Sequence, residues 1–135
     1  MRKLLLATAA AALALTGGTA VAKSPQERGE ERLAKMIEGR EAGEPQSCIY
    51  AFNSNDIEVI DYVGIVYERG DTVYVARARD PRSLSTWDVP VIKRHGSQLC
   101  NLDQIHTVDR SSGMFSGVVF LEPFVPYTRS EDQDG

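Results

Sequence analysis

Two cysteines, Cys48 and Cys100, constrain this chain more than any other feature, because they are its only cysteines. If they are bonded to each other, they tie together two segments that lie 52 positions apart, and this limits the topologies that the chain can adopt. If they are reduced, Cys100 stands close to Asp103 and His106, a set of residue types that can form a thiol nucleophile. The choice between these readings depends on the compartment in which the protein folds.

The N-terminus predicts export. A basic start is followed by an apolar run at residues 4–15 and then by Ala20-Val21-Ala22, the small-x-small pattern that signal peptidase cuts. The apolar run is too short to span a bilayer. We therefore predict a cleaved signal peptide at residues 1–22 and a periplasmic or extracellular protein without a membrane span. Because disulfides persist in such compartments, we predict that Cys48 is bonded to Cys100.

The charge of the exported chain narrows the choice of partner. Loss of residues 1–22 leaves 13 of the 15 basic residues against 19 acidic residues, a formal charge of −6. An acidic chain of this kind does not favour nucleic acid or an anionic membrane as a partner. No phosphate-binding loop, dinucleotide fingerprint or nucleophile elbow occurs, and we predict no cofactor. His95 and His106 lack the three or four convergent ligands of a zinc site, and we predict no metal.

A helix is predicted to start the mature chain. The sequence Ser24-Pro25-Gln26-Glu27 has the form of a capping box with proline in the first helical position. Residues 23–43 are therefore predicted as a helix and its linker, with Gly39 as the stop signal. The apolar stripe of Leu33, Met36 and Ile37 is too small for the helix to be stable alone, so it must dock on the rest of the domain or on a partner.

Residues 44–127 are predicted to form one β domain, and residues 128–135 a disordered acidic tail. The predicted strand that contains Pro90 is expected at the edge of a sheet, because proline has no backbone N–H to donate to a neighbouring strand. The segment 57–68 is predicted as one bent or interrupted strand. The strand segments are 47–52, 57–60, 62–68, 72–79, 87–93, 98–100, 105–109 and 114–121.

The strands 62–68 and 114–121 are apolar on both faces, whereas a half-solvated sheet would alternate apolar and polar residues. One face should line an inner core, and the helix or another subunit should cover the other. Gly64 and Gly117 suit bends where a sheet curls. The predicted fold class is mainly β with one N-terminal helix, in a small curved antiparallel sheet or a partly open β-barrel joined by a disulfide. A two-sheet sandwich is the second choice.

Three arginines form the candidate binding site. Arg77 and Arg79 share a face of one predicted strand, and Arg82 follows the next turn. Guanidinium groups match carboxylates and phosphates well, so the cluster indicates a small anionic ligand or an acidic partner surface. The alternative is that these arginines pair with surface acids such as Glu68 or Asp80.

Four short motifs carry a resemblance to known proteins. They are Cys48-Ile49, Ile60-Asp61, Gln98-Leu99-Cys100 with Asp103, and Phe124-Val125-Pro126-Tyr127. Over residues 30–127 the chain resembles a group of small exported proteobacterial proteins of unknown function. The resemblance implies a Gram-negative periplasmic or secreted setting and a structural role for the cysteines. It transfers no catalytic residue.

These features together predict a non-enzymatic exported domain that binds a protein partner or a small anionic ligand, with self-association into a homo-oligomer as a further possibility. The first alternative is an inhibitor of a cell-wall or proteolytic enzyme, which would act through Arg69-Gly70-Asp71 or residues 80–85. The second is a small hydrolase that uses Asp103 and His106, or Asp109, in acid–base chemistry.

Overall fold

The computed structural model of the protein describes residues 17–130, which form a mainly β domain with one N-terminal helix. Two short 3-10 helices interrupt the strands. Residues 1–16 of the predicted signal peptide and residues 131–135 of the predicted tail lie outside the described residues. The elements are α1 (Pro25–Met36), β1 (Glu41–Ala42), β2 (Cys48–Tyr50), a 3-10 helix (Ser54–Asp56), β3 (Ile57–Ile60), β4 (Gly64–Arg69), β5 (Thr72–Arg77), a second 3-10 helix (Pro81–Leu84), β6 (Asp88–Ile92), β7 (Gln98–Cys100), β8 (Ile105–Asp109), β9 (Phe115–Val119) and β10 (Val125–Thr128).

The strands form three antiparallel sheets, and the predicted fold class is confirmed. The largest sheet has the order β1-β10-β5-β4-β3, the second pairs β2 with β7, and the third has the order β6-β8-β9. A bridge between Ala78 and Leu121 extends β5 toward the third sheet. The described strands remain open sheets and do not close into a barrel. β6, which carries Pro90, pairs only with β8, as expected of an edge strand.

The helix begins at the predicted capping box. The backbone N–H of Glu27 donates to Oγ of Ser24 over 3.2 Å, and the N–H of Ser24 donates to Oε2 of Glu27 over 2.6 Å. Each bond satisfies an amide that the first turn of a helix leaves without a partner. The helix ends at Met36, and Gly39 follows with a φ of 71°, in the left-handed region that favours glycine.

The helix covers one face of the largest sheet. Its predicted apolar stripe, centred on the buried Leu33, packs with Met36 and Ile37 against side chains from β3, β4 and β5. The expectation that the helix covers the second apolar face of the strand at residues 62–68 is therefore confirmed. The buried residues of this smaller core are Leu33, Ile60, Val63, Val66, Val73 and Val75.

The other face of the largest sheet lies over the main core. Side chains from all three sheets and the second 3-10 helix meet there, and Phe124 and Leu99 are completely buried. Such a shared core holds the three open sheets together as one unit. Its buried residues are Ile49, Ala51, Ile65, Tyr67, Ala76, Ala78, Leu84, Leu99, Ile105, Val119, Leu121 and Phe124.

The segment 57–68 is predicted as one bent or interrupted strand; the structure has the interruption, but the chain reverses there, so the prediction of a single strand is wrong. β3 and β4 are separate strands that pair with each other as an antiparallel hairpin, with Ile60 opposite Gly64. Tyr62 takes a φ of 61° in the turn, and the N–H of Val63 donates to the carbonyl of Ile60 over 3.0 Å. A left-handed conformation at a tyrosine is not predictable from residue type, because it favours glycine and asparagine.

The end of the domain contains a strand that was not expected. β10 pairs with β5 through Val125 opposite Val75, and with β1 through Thr128 opposite Glu41. Thr128, the first residue of the predicted tail, is therefore part of the largest sheet. β10 contains Pro126, and the sequence did not indicate a strand there because proline is rare inside sheets.

Glycines mark two places where the backbones approach or shift. A Cβ atom added to Gly64 would lie 2.2 Å from the carbonyl oxygen of Ala76 on β5, so only glycine fits. Gly117 pairs with Thr107 directly beside an irregularity in the register between β8 and β9. Gly117 thus lies at an irregularity of the kind predicted, whereas a bend at Gly64 stays a prediction.

The disulfide is present as predicted. Cys48 and Cys100 face each other across β2 and β7, with an S–S distance of 2.04 Å and a Cα–Cα distance of 4.0 Å. Neither sulfur is free. A thiol nucleophile at Cys100 is therefore excluded, and the cysteines join the start of the β domain to the turn that precedes β8.

Candidate binding cleft

A cleft of about 410 Å³ lies between two segments, residues 101–106 and residues 118–121. The first segment is the turn between β7 and β8 with the start of β8. The second continues β9 toward its bridge with β5. Arg79, which follows that bridge on the β5 side, completes the lining. The volume lies within the range of small-molecule sites in proteins.

Asn101 is the most unusual residue of the cleft. Its side chain is buried, with 8% of the residue exposed, and its Oδ1 atom has no hydrogen-bond partner among the described residues. The disulfide and the backbone hold it in place, since it follows Cys100 directly and its N–H donates to the carbonyl of Ser47 over 2.8 Å. A buried acceptor without a donor costs about 1–3 kcal/mol, so a hydrogen-bond donor at this atom would stabilise the protein.

Asp103 and His106, the pair named for a hydrolase, both line the cleft. Oδ2 of Asp103 accepts a hydrogen bond from the N–H of Cys100 over 2.8 Å, so this carboxylate caps the turn that begins at the disulfide. The imidazole of His106 stacks on the ring of Phe115, with 6.3 Å between the ring centroids. Both side chains therefore have structural contacts of their own.

Asp109, the second carboxylate named for a hydrolase, does not line the cleft. Its Oδ1 accepts hydrogen bonds from the backbone N–H groups of Ser111 and Ser112, at 3.0 and 2.8 Å, and from both serine hydroxyls. These bonds lower the pKa of Asp109 from 3.8 to about 2, with the Ser111 hydroxyl as the largest cause. The carboxylate caps the turn between β8 and β9.

The three predicted arginines lie in three different environments. Arg77 forms a two-pronged ion pair with Glu30 of α1, with N–O distances of 2.7 and 3.1 Å, and these hydrogen bonds raise the pKa of Arg77. Arg82 pairs with Asp80 over 3.1 Å, and this bond lowers the pKa of the carboxyl. Only Arg79 reaches the cleft, and its Nε lies 3.5 Å from Oε1 of Glu122.

Each arginine thus faces a carboxylate, and binding of an anion by the three together stays a prediction. Arg77 and Arg79 were expected to act on one face because residues alternate along a strand. β5 ends at Arg77, and the chain then bridges to Leu121, so Arg79 enters another part of the molecule.

The two loops proposed for an inhibitor are packed on the domain. Arg69-Gly70-Asp71 forms the tip of the β4–β5 hairpin, where the Arg69 guanidinium lies 5.3 Å from the ring centroid of Phe52 and the carbonyl of Asp71 accepts from Arg40. Residues 80–85 contain the second 3-10 helix, which buries Leu84 in the main core.

The cleft residues that sequence reasoning missed are Asn101 and the apolar rim of Leu102 and Phe120. Leu102 and Phe120 are largely exposed although they are apolar. No sequence pattern marks them, because a single asparagine or leucine in a turn has no periodicity. The nearest signal was their position, since Asn101 and Leu102 directly follow a bonded cysteine.

Comparisons with known proteins add no relative, since no family model, curated protein or solved structure matches the chain. The resemblance to small exported proteobacterial proteins therefore stays a prediction. Within residues 17–130, no group of three or more histidine, cysteine or acidic side chains could hold a metal ion. Over the same range, the single helix is not long and apolar enough to cross a membrane.

Proposed function

We propose that the protein is an exported, non-enzymatic binding domain whose ligand, a small amphipathic anion, occupies the cleft between residues 101–106 and 118–121. The observation that carries this proposal is a cleft whose lining includes Asn101, a residue with a buried Oδ1 that has no donor among the described residues. This atom is covered in the free protein, so a ligand with an N–H or O–H group reaches it when the side chain turns toward the cleft, and the new bond then removes the desolvation penalty.

The rest of the lining defines the other parts of the ligand. Most of the cleft wall is apolar, with the exposed Leu102, Val118 and Phe120 available to contact a hydrocarbon or aromatic body. Arg79 is the one lysine or arginine in the lining, and its side chain is about half exposed beside Glu122 at 3.5 Å. A loose, exposed ion pair contributes little to stability, so the guanidinium is available for a carboxylate of the ligand.

Two features support export. Residues 17–24, which contain the predicted cleavage site, are exposed and carry no regular secondary structure, so a peptidase has access to them. The disulfide is typical of proteins that fold outside the cytoplasm. Both agree with the basic and apolar pattern at the N-terminus.

The contacts of the acidic residues favour binding over hydrolysis. An acid–base catalyst needs a group that is free to exchange a proton with the substrate. Asp103 caps the turn after Cys100, and Asp109 lies outside the cleft with its pKa lowered to about 2. Asp109 is therefore ionised near neutral pH, where a general acid must be protonated.

The test is titration of the oxidised protein with N-acetyl-leucyl-phenylalanine, a small amphipathic carboxylate, followed by two-dimensional NMR. We expect the amide signals of Leu102, Ile105 and Phe120 to shift during the titration. The C-terminal amide of the same compound lacks the charge and should bind more weakly. Absence of shifts in the cleft with both compounds would contradict the proposal.

Two variants separate the parts of the site. Asn101→Leu removes the acceptor, and we expect about tenfold weaker binding together with unchanged or higher stability of the free protein. Arg79→Gln should weaken binding of the carboxylate but not of its amide. Arg82→Gln is the matched control, because Arg82 lies outside the cleft. Equal effects of Arg79→Gln and Arg82→Gln would count against a site at Arg79.

A further inference from the structure

The outer face of the β6–β8–β9 sheet is apolar and uncovered. The register aligns Val91, His106 and Val118 in one row across the three strands, and Val89, Val108 and Phe115 in the next. Phe120 directly follows β9 and lines the cleft beside His106 and Val118. Trp87 directly precedes β6, and its carbonyl accepts from the N–H of Arg110. Both residues therefore adjoin this face at its ends. The outer face thus consists of Trp87, Val89, Val91, His106, Val108, Phe115, Val118 and Phe120.

The exposure of these side chains is large for a free surface. Trp87 is 72% exposed, Phe115 68% and Phe120 64%. On the scale of about 150–250 Å² for one aromatic side chain, these three present roughly 400 Å², and the valines and His106 bring the outer face to roughly 600–700 Å². The largest apolar patch of a typical monomer is about 300–600 Å², so a surface of this size marks an interaction site.

The chain itself does not cover this face within residues 17–130. α1 packs on the largest sheet, against β3, β4 and β5, and leaves the β6–β8–β9 sheet uncovered. Two strands of this sheet, β6 and β9, are also edges. An apolar second face was expected to be covered either by the helix or by another subunit. The helix covers the largest sheet, so another subunit is the remaining candidate for the β6–β8–β9 sheet.

We propose that a second copy of the chain covers the outer face, with the two sheets packed face to face around a twofold axis. An isologous contact uses the same patch on both copies, so a charged residue in the patch can meet residues of the same charge across the twofold axis. Within its strands the outer face carries no aspartate, glutamate, lysine or arginine, so pairing it with itself brings no such like charges together at its centre. The exposed Lys93 and Arg110 directly follow β6 and β8 and flank the face at its ends.

The area supports the same occupant. Specific interfaces bury about 800 Å² on each partner, and the outer face offers most of that area. Aromatic residues in such an interface contribute most of the binding energy, and Phe115, which stacks on His106 of the middle strand, is the residue that we expect to act in this way.

This inference does not rest on a ligand in the cleft. His106, Val118 and Phe120 belong to both surfaces, but Val91 and Phe115 belong to the outer face alone. A substitution at Val91 or Phe115 therefore tests the dimer while the lining of the cleft keeps its residues.

The test is sedimentation velocity of the oxidised protein over a series of concentrations from low to high micromolar. We expect a mass twice that of the chain at the upper end, and a Phe115→Glu variant that stays monomeric or associates at least about tenfold more weakly. Val91→Glu should act in the same way and serves if Phe115→Glu fails to fold. Phe52→Glu is the matched control, since Phe52 is 64% exposed and lies outside the outer face.

Three results would overturn the inference. They are a wild-type protein that remains monomeric throughout the series, a dimer that survives both outer-face substitutions, and a dimer that Phe52→Glu disrupts as strongly. A monomeric wild-type protein would assign the outer face to a different partner. Because three residues belong to both surfaces, binding of the small carboxylate is also read by NMR on the Phe115→Glu variant, which keeps the cleft lining, and failure of one proposal is then distinguished from failure of the other.

Discussion

Removal of the Cys48–Cys100 bond should cost the protein a large part of its stability. The bond closes the first residue pair of the β2–β7 sheet, which contains only three pairs and has no third strand. That sheet carries Ile49 and Leu99 into the main core, where both are buried. Without the bond, the hydrogen bonds of three residue pairs and the burial of these two side chains must hold the segment in place.

The magnitude follows from the length of chain that the bond closes. The cysteines are 52 positions apart, and the chain-entropy model assigns a closed loop of this size about 4 kcal/mol of stabilisation, through restriction of the unfolded chain. The net stability of a small domain is about 5–15 kcal/mol. We therefore expect the variant that combines Cys48→Ala with Cys100→Ala to lose between about a quarter and about four fifths of the net stability.

Equilibrium unfolding in urea, followed by far-UV circular dichroism, measures this difference. The wild-type protein in a strong reductant should fall to the stability of the double variant, and the variant should not respond to the reductant. That response is the internal control for the loss of the bond itself. A difference of less than about 1 kcal/mol would refute the reasoning, because the chain-entropy model then fails for this loop.

Two further predictions concern a close contact and a titrating turn. Gly29→Ala would place a Cβ atom 2.6 Å from the carbonyl oxygen of Asp61 and 2.8 Å from Cγ2 of Val63, so the urea midpoint should fall by the equivalent of about 1–3 kcal/mol despite the better helix propensity of alanine; an unchanged midpoint would contradict the close packing of α1. The pKa of Asp109 is lowered from 3.8 to about 2 in the folded state, so its stabilising contribution is present above pH 4 and is lost as the pH falls toward 2. Asp109→Asn should therefore be less stable than the wild type near neutral pH and equally stable near pH 2 in thermal melts, and a constant difference over that range would be inconsistent with this pKa.

Local patterns were the reliable part of the sequence. The capping box at Ser24 and the helix stripe at Leu33 both depend on residues within a few positions of one another. Their bonds form between neighbours, so the residue types alone indicate them. The hairpin between β3 and β4 was missed because Tyr62 adopts a backbone conformation that its residue type does not favour.

The candidate site was only partly predictable. Arg79 was named from the sequence, but its partners Arg77 and Arg82 are held by Glu30 and Asp80 elsewhere on the surface. Alternation along a strand places residues on a face only while the strand continues, and β5 ends before Arg79.

The sequence by itself determined the mainly β class, the capped N-terminal helix and the pairing of Cys48 with Cys100. These follow from short-range periodicity, from local hydrogen bonding and from a count of two cysteines. Only the tertiary structure decided that Asn101 is buried without a donor and that, of the three predicted arginines, only Arg79 lines the same cleft. It also decided that α1 leaves one apolar sheet face uncovered. The physical reason is that burial and contact between distant segments depend on how the sheets pack, which no local pattern records.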